Sequence, residues 1–285
     1  MKLSGEKIVS GVLTGIAFSA ISALLLIALF VFSEGLPFIF RYGPARFLLT
    51  SSWNPQTGQF GILPMIVATL WVTLGAITIG APLGVAVAVF LTEFMPRAVM
   101  RVFKPAVELL AGIPSVVYGF IGVMVLAPLI RTWLGGPGLS LLAAAIILGI
   151  MILPTVISIS IDSIMAVPRS FREGSLALGA TTWQTVRMVT LPAARSGIIA
   201  SIILAMGRAV GETMAVIMVA GNAVKFPHSA LDSVRTLTAN IALEMGYATG
   251  LHRQALFATG VVLFIVVMIL NSIAGMAIKK RAGKK

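Results

Sequence analysis

Residues 139–161 read LSLLAAAIILGIMILPTVISISI, with no Asp, Glu, Lys or Arg among them. At about 1.5 Å per residue a helix of this length covers roughly the 30 Å hydrocarbon core of a bilayer. The run does not alternate apolar and polar residues as a barrel strand would. A helix is therefore the spanning form that satisfies its backbone in lipid. Working outward in both directions, five more runs read the same way: Ile8–Ser33, Gly61–Thr92, Pro105–Ile130, Gly197–Gly221 and Gln254–Ile278. The expectation is an all-α polytopic membrane protein with six transmembrane helices. Pro64, Pro82, Pro114, Pro128 and Pro154 fall inside these runs, which bundled membrane helices tolerate when neighbours satisfy the freed carbonyls. The second and third runs exceed what a bilayer needs, so their ends should protrude or tilt.

Composition agrees. The 285 residues are 58% hydrophobic and 11% charged, whereas a soluble domain carries roughly a quarter charged residues. The formal net charge of +12 admits a nucleic-acid reading, but the placement of the charges opposes it. With the N-terminus inside, the inner segments hold Lys2, Lys7, Arg97, Arg101, Lys104, Arg169, Arg172, Arg187, Arg195, Lys279, Lys280, Arg281, Lys284 and Lys285. The outer segments hold only Arg41, Arg46, Arg131, Lys225, Arg235 and Arg253. Basic residues concentrate on the cytoplasmic side of membrane proteins, so both termini are expected in the cytoplasm. The charges then mark topology and lipid headgroup contacts, with no nucleic acid as partner. There is no cysteine, which excludes disulfides, cysteine-ligated metals and thiol chemistry. The first run follows Lys2 and Lys7 as a signal peptide would, but it exceeds the roughly 7–15 residues of a signal's apolar core. It reads as an uncleaved first helix. The expected organisation is a helix and external loop over 1–60, a transmembrane bundle over 61–278 that includes the loop 165–196, and a basic tail over 279–285.

The most informative loop is 165–196. Ser170 and Glu173 have capping-box spacing, so a helix should start there. Gly179 suits its end, and Thr181 or Thr182 can cap a second short helix running toward Pro192. Leu176, Leu178, Val186, Met188 and Val189 give this hairpin apolar surface. From the residues alone, an amphipathic hairpin lying on the membrane and a docking element for another protein are both open.

The fifth run contains Gly207-Arg208-Ala209-Val210-Gly211-Glu212-Thr213-Met214. Arg208 is expected near the midplane of the membrane, with Glu212 one turn further on the same face. A charge at that depth costs at least roughly 2.5–3.5 kcal/mol, and two at this spacing can neutralise each other. The pair is either a gate or substrate-path element, the usual role of intramembrane ionisable residues, or a structural device that fixes helix packing. Gly207 and Gly211 form a small-residue face expected to bring a neighbouring helix close. Where the third run begins, Lys104 and Glu108 can pair at i,i+4. Ser115 and Tyr118 could line a polar path or simply pack.

The spacing in the loop resembles the EAA motif of ABC importer permeases. It falls on Glu173, Gly179, Val189, Leu191 and Pro192, and departs from the usual two alanines at Gly174 and Ser175, where small size is kept. The runs Leu-Ala-Gly-Ile-Pro-Ser-Val-Val-Tyr-Gly-Phe, from Leu110 to Phe120, and Gly-Arg-Ala-Val-Gly-Glu-Thr-Met-Ala-Val, from Gly207 to Val216, look like phosphate importer permeases of the Pst type. Gly221-Asn222 and the segment from Ser233 to Leu256 look closest to the PstC subunit family. The resemblance covers the chain after about Gly61.

That resemblance implies a type I ABC importer permease fold, MetI-like, moving phosphate across the cytoplasmic membrane of a prokaryote. It implies that Glu173, Gly179, Leu191 and Pro192 belong to the coupling helix region that docks on an ATPase, and that Arg208 and Glu212 line the phosphate path. The implied partners are a homologous PstA-type permease, two cytoplasmic ABC ATPase subunits, an extracytoplasmic phosphate-binding protein and membrane lipid. No cofactor is expected on this chain, with ATP and Mg on the partner ATPase. Gly135-Gly136-Pro137-Gly138 lacks the lysine of a P-loop and reads as a turn. His228 and His252 read as solvated loop residues, not metal ligands. Two other classes remain to be separated: a secondary phosphate transporter or channel, and a membrane scaffold with a purely structural charge pair.

Overall fold

The computed structural model describes the backbone of residues 2–282 and the side chains of 9–96, 98–273 and 275–276. The side chains of Lys2, Lys7, Arg97 and the basic tail at 279–285 lie outside the described residues.

Among the described residues, six helices are long and apolar enough to cross a membrane. The first, α1 (Lys2–Tyr42), continues past the expected end at Ser33 and through Pro37. The segment expected as a loop then holds a short helix, α2 (Pro44–Leu49), and a small hairpin of β1 (Trp53–Asn54) and β2 (Gln59–Phe60). Gly58 closes the hairpin at φ +71°, a left-handed conformation that suits glycine. The second span is α3 (Leu63–Val89), extended by a π-helical turn at 90–94. An amphipathic helix, α4 (Arg97–Ala111), follows. Pro105 belongs to it, so the third span begins later than expected, at Ser115 beyond the break at Gly112–Pro114. That span comprises α5 (Ser115–Ile121), a π turn at 122–126 and α6 (Ala127–Leu134). The fourth is α7 (Leu141–Met165), N-capped by Ser140, whose hydroxyl accepts from the Ala143 N–H.

Beyond α7 lies α8 (Arg169–Ala177). Next, α9 (Thr182–Thr185) runs through a π turn at 186–190 into α10 (Leu191–Gly211). The expected short helix and fifth span are thus one rod from Thr182 to Gly211. It stops at Glu212 and resumes as α11 (Met214–Val219). A short helix, α12 (Leu237–Glu244), and the sixth span, α13 (Gly250–Ala282), complete the chain.

Each of the three π turns ends two residues before a proline: Pro96, Pro128 and Pro192. Ahead of Pro192, the Leu191 N–H donates to the Val186 carbonyl five residues back. Proline has no N–H and its ring strikes the carbonyl four residues earlier. The wider i→i+5 turn re-registers the carbonyls there and lets the rod continue.

The centre of the bundle is α3 against α7. Ala68, Val72, Ala76, Gly80, Gly84 and Ala88 recur every four residues on α3, and all are buried. Such a stripe lets backbones approach in a membrane, where packing replaces the hydrophobic drive. A Cβ on Gly80 would lie 2.6 Å from the Gly149 carbonyl oxygen of α7, and one on Gly75 would lie 2.7 Å from the Ala145 methyl. By contrast, Gly207 and Gly211 have nothing within 4 Å of such a Cβ. The close approach expected there is not made within this chain. Around α3 and α7, one apolar cluster joins α5, α10 and α11. A second joins the end of α1, the hairpin and α13, and a third gathers at the end of the bundle that carries α8.

Candidate functional site

The α8–α9 hairpin has the geometry of a rigid, exposed knuckle. The Gly179 N–H donates to the Leu176 carbonyl and the Ala180 N–H to the Ser175 carbonyl, at 2.9 and 3.2 Å. With Gly179 at φ +85°, this is the Schellman ending of a helix. One residue on, Thr181 and Gln184 exchange side-chain and backbone bonds as a capping box, so α9 starts where its sequence says. The capping box expected from Ser170 and Glu173 is not formed: Pro168 occupies the cap position of α8 and no side chain caps it. With φ already fixed, the proline presets the entry to α8. Glu173 is exposed, and no hydrogen bond or ion pair joins its side chain to another described residue. Gly179 and Pro192 are exposed too, while Leu191 packs half-buried against the apolar cluster of this end. Phe171, Leu176, Leu178, Trp183 and Met188 stand exposed on and beside the knuckle, Leu178 at 91%.

The break in the fifth span rearranges the expected charge pair. Arg208 sits in the last turn of α10, and Glu212 lies beyond its end in extended backbone at φ −68°, ψ 130°. The i,i+4 geometry that would pair them requires an unbroken helix, and among the described residues no ion pair joins them. Each charge instead meets the helix end that suits its sign. Arg208 is at the carbonyl end of α10, and a Glu212 carboxylate oxygen accepts the Ala215 N–H of α11 at 3.2 Å. The Glu212 carbonyl accepts from the Thr238 hydroxyl at 3.0 Å, which fastens the break to α12. The start of α12 is held from the other side by Thr69 of α3, whose hydroxyl accepts the Leu237 N–H at 3.0 Å. Arg208 is half-buried and has no hydrogen bond or ion pair with another described residue.

The far end of α12 carries a polar centre that sequence reasoning passed over. Glu244 is 7% exposed. Its carboxylate accepts from Trp53 Nε1 at 2.9 Å and from Arg235 at 2.6 Å, and lies 2.8 Å from His252 Nε2. Three partners compensate a charge that burial alone would make costly. These side chains line a cavity of about 670 Å³ together with Asn54, Gln56, Tyr247 and Thr249. His252 is therefore a half-buried hydrogen-bonding residue and not a solvated one. In the neighbouring loop, the N–H groups of His228 and Ser229 and the Lys225 ammonium hold the Asp232 carboxyl below the ordinary carboxylate range.

Other expected residues resolve simply. Tyr118 is buried, and its hydroxyl donates to the Leu110 carbonyl at 3.0 Å, bridging the break between α4 and α5. Lys104 lies 4.0 Å from Glu108 but makes its close contact with Asp162 of α7.

Residues 80–284 match the family described as the binding-protein-dependent transport system inner membrane component. The chain is 44% identical over 262 residues to a probable ABC transporter permease protein, YqgH, of Bacillus subtilis, covering 90% of this chain and 85% of that one. It is 42% identical over 249 residues to the phosphate transport system permease protein PstC of Mesorhizobium japonicum, covering 80% and 76%. Among solved structures, an inward-facing MetNI methionine ABC transporter superposes with a TM-score of 0.63 at 22% identity, over 81% of this chain and 99% of that one. A bacterial ABC transporter involved in alginate import gives 0.61 at 17% identity, over 93% and 96%. These two support the overall fold alone. On the extent of the family match and the identity of its relatives, this chain belongs to the inner membrane components of binding-protein-dependent transport systems.

Proposed function

We propose that this chain is the permease subunit of an ATP-binding-cassette importer that moves inorganic phosphate across a prokaryotic cytoplasmic membrane. The observation that carries the reading is Arg208: a half-buried guanidinium with no counter-charge among the described residues, placed at a break in a membrane helix. An unpaired charge in a low-dielectric setting is expensive, and a passing anion is the partner that offsets it. Relatives named as phosphate permeases supply the identity of the anion.

In this reading the α8 end of the bundle faces the cytoplasm, as the distribution of Lys and Arg argues. The exposed apolar knuckle around Gly179 docks on an ATPase subunit, and ATP and Mg²⁺ are bound there and not on this chain. A PstA-type permease completes the pathway, an extracytoplasmic phosphate-binding protein delivers the substrate to the opposite face, and lipid surrounds the rest. Selectivity is left to the binding protein, so a single weakly held cation suffices within the path and favours release.

The test is co-purification of the tagged chain from native membranes in mild detergent. An ATPase, a second permease and a phosphate-binding protein should be recovered with it. A preparation free of any ATPase contradicts the assignment.

A further inference from the structure

From Arg169 to Ala177 no residue of α8 is buried. Phe171 and Leu176 keep about half their surface exposed, and the most covered residues are Arg172 and Ser175. They lie three residues apart and so share one side of the helix. Under the start of α8 a cavity of about 470 Å³ opens among Ser163, Val167, Phe171, Ala194 and Gly197. The helix is therefore not seated on close packing, and its attachment is polar. Ser175 meets the Thr185 hydroxyl at 3.0 Å, which holds the hairpin to itself. Arg172 reaches the bundle: its NH2 donates to the Ile164 carbonyl at the end of α7, at 2.9 Å, and lies 2.8 Å from Glu93 Oε1.

Glu93 stands in the π turn that ends α3, and its side chain is 7% exposed. The chain itself links α8 to α7 through Val167 and Pro168. No such link joins α8 to α3, and Arg172–Glu93 is the polar contact between them among the described residues. A carboxylate buried to that degree follows its cation, because separation leaves it uncompensated. The contact is also imperfect: Arg172 Nε and Glu93 Oε1 both lack a well-directed hydrogen bond. Guanidinium and carboxylate can take a two-bonded, parallel form, so a tighter arrangement is open to this pair when α8 shifts over its cavity.

We propose that the Glu93–Arg172 ion pair carries movement of α8 into the second spanning helix, which makes Glu93 a positioning residue for transport. The proposal rests on α8 being the ATPase-docking element. α3 packs backbone to backbone on α7 at Gly80, so a pull on its end is passed along the central helix pair and not lost in loose side chains.

The experiment uses the whole transporter in proteoliposomes and measures phosphate moved per ATP hydrolysed. Glu93→Gln should retain the ATPase at wild-type level and keep hydrolysing ATP. Its transport ratio should fall about tenfold, the size of a typical coupling between linked sites. The exchange Glu93→Arg with Arg172→Glu restores the pair and should recover most of the ratio. A merely structural pair would change the yield of complex and leave the ratio alone. An unchanged ratio in Glu93→Gln overturns the proposal, as does a Glu93→Gln complex that sheds its ATPase. Wild-type protein that shows no ATP-coupled uptake in the same preparation overturns the functional reading itself, and the proposal with it.

Discussion

Arg208 and Glu212 stand on either side of a break in the fifth span. Their charge in an apolar run marks them in the sequence, but an i,i+4 spacing makes a pair only in an unbroken helix. The rod stops at Gly211, and no proline announces the stop. The consequence is measurable. If the two charges neutralised each other, losing one would cost more than losing both. In the observed geometry they act separately, so a double-mutant cycle of Arg208→Ala and Glu212→Ala on thermal stability should be additive within about 0.5 kcal/mol. Glu212→Ala alone removes the acceptor for the Ala215 N–H and should cost about 0.5–2 kcal/mol, the range for a lost helix cap. Arg208→Ala forfeits no partner, so it should assemble normally and lose uptake. Strong non-additivity in the cycle, or normal uptake by Arg208→Ala, contradicts this assignment.

At the scale of elements, the α8–α9 turn followed from its residues, because glycine, then threonine, then glutamine three positions later each have a local physical role. The start of α8 did not follow, because Pro168 fixes the entry where Ser170 was expected to cap. A side chain at Gly179 meets no atom within 4 Å, so Gly179→Leu incurs only the left-handed backbone penalty of about 1–2 kcal/mol. The bundle should fold, and the added bulk on the exposed knuckle should abolish ATPase recovery in a pull-down. Gly179→Asn, which tolerates this conformation better, should retain more. The glycines of the spans separate in the same manner. Gly80→Leu drives a side chain into the Gly149 backbone and should destabilise by at least about 1–3 kcal/mol, whereas Gly207→Ala in the isolated chain should leave the thermal midpoint unchanged. The π turns were hidden in sequence, although Pro128 and Pro192 explain two of them afterwards.

For the whole molecule, six spans were readable from length and hydropathy, while the link between distant segments was not. Trp53 meets Glu244 across 191 positions, and no local pattern encodes that meeting. It nevertheless decides that the hairpin of residues 53–60, α12 and the start of α13 close one end of the bundle together, opposite the end that carries α8. Orientation then becomes a single question. The chain has no cysteine, so single reporters are clean: Gln56→Cys should react with an impermeant thiol reagent on intact cells and Ser170→Cys should not, and the reverse pattern would invert the account. The central claim is tested most directly by radiolabelled phosphate uptake into proteoliposomes that contain the co-purified complex, with phosphate-binding protein added outside. Uptake that requires ATP at the α8 face and disappears in Arg208→Ala is the predicted result. Uptake by this chain alone, without ATPase or ATP, would contradict it.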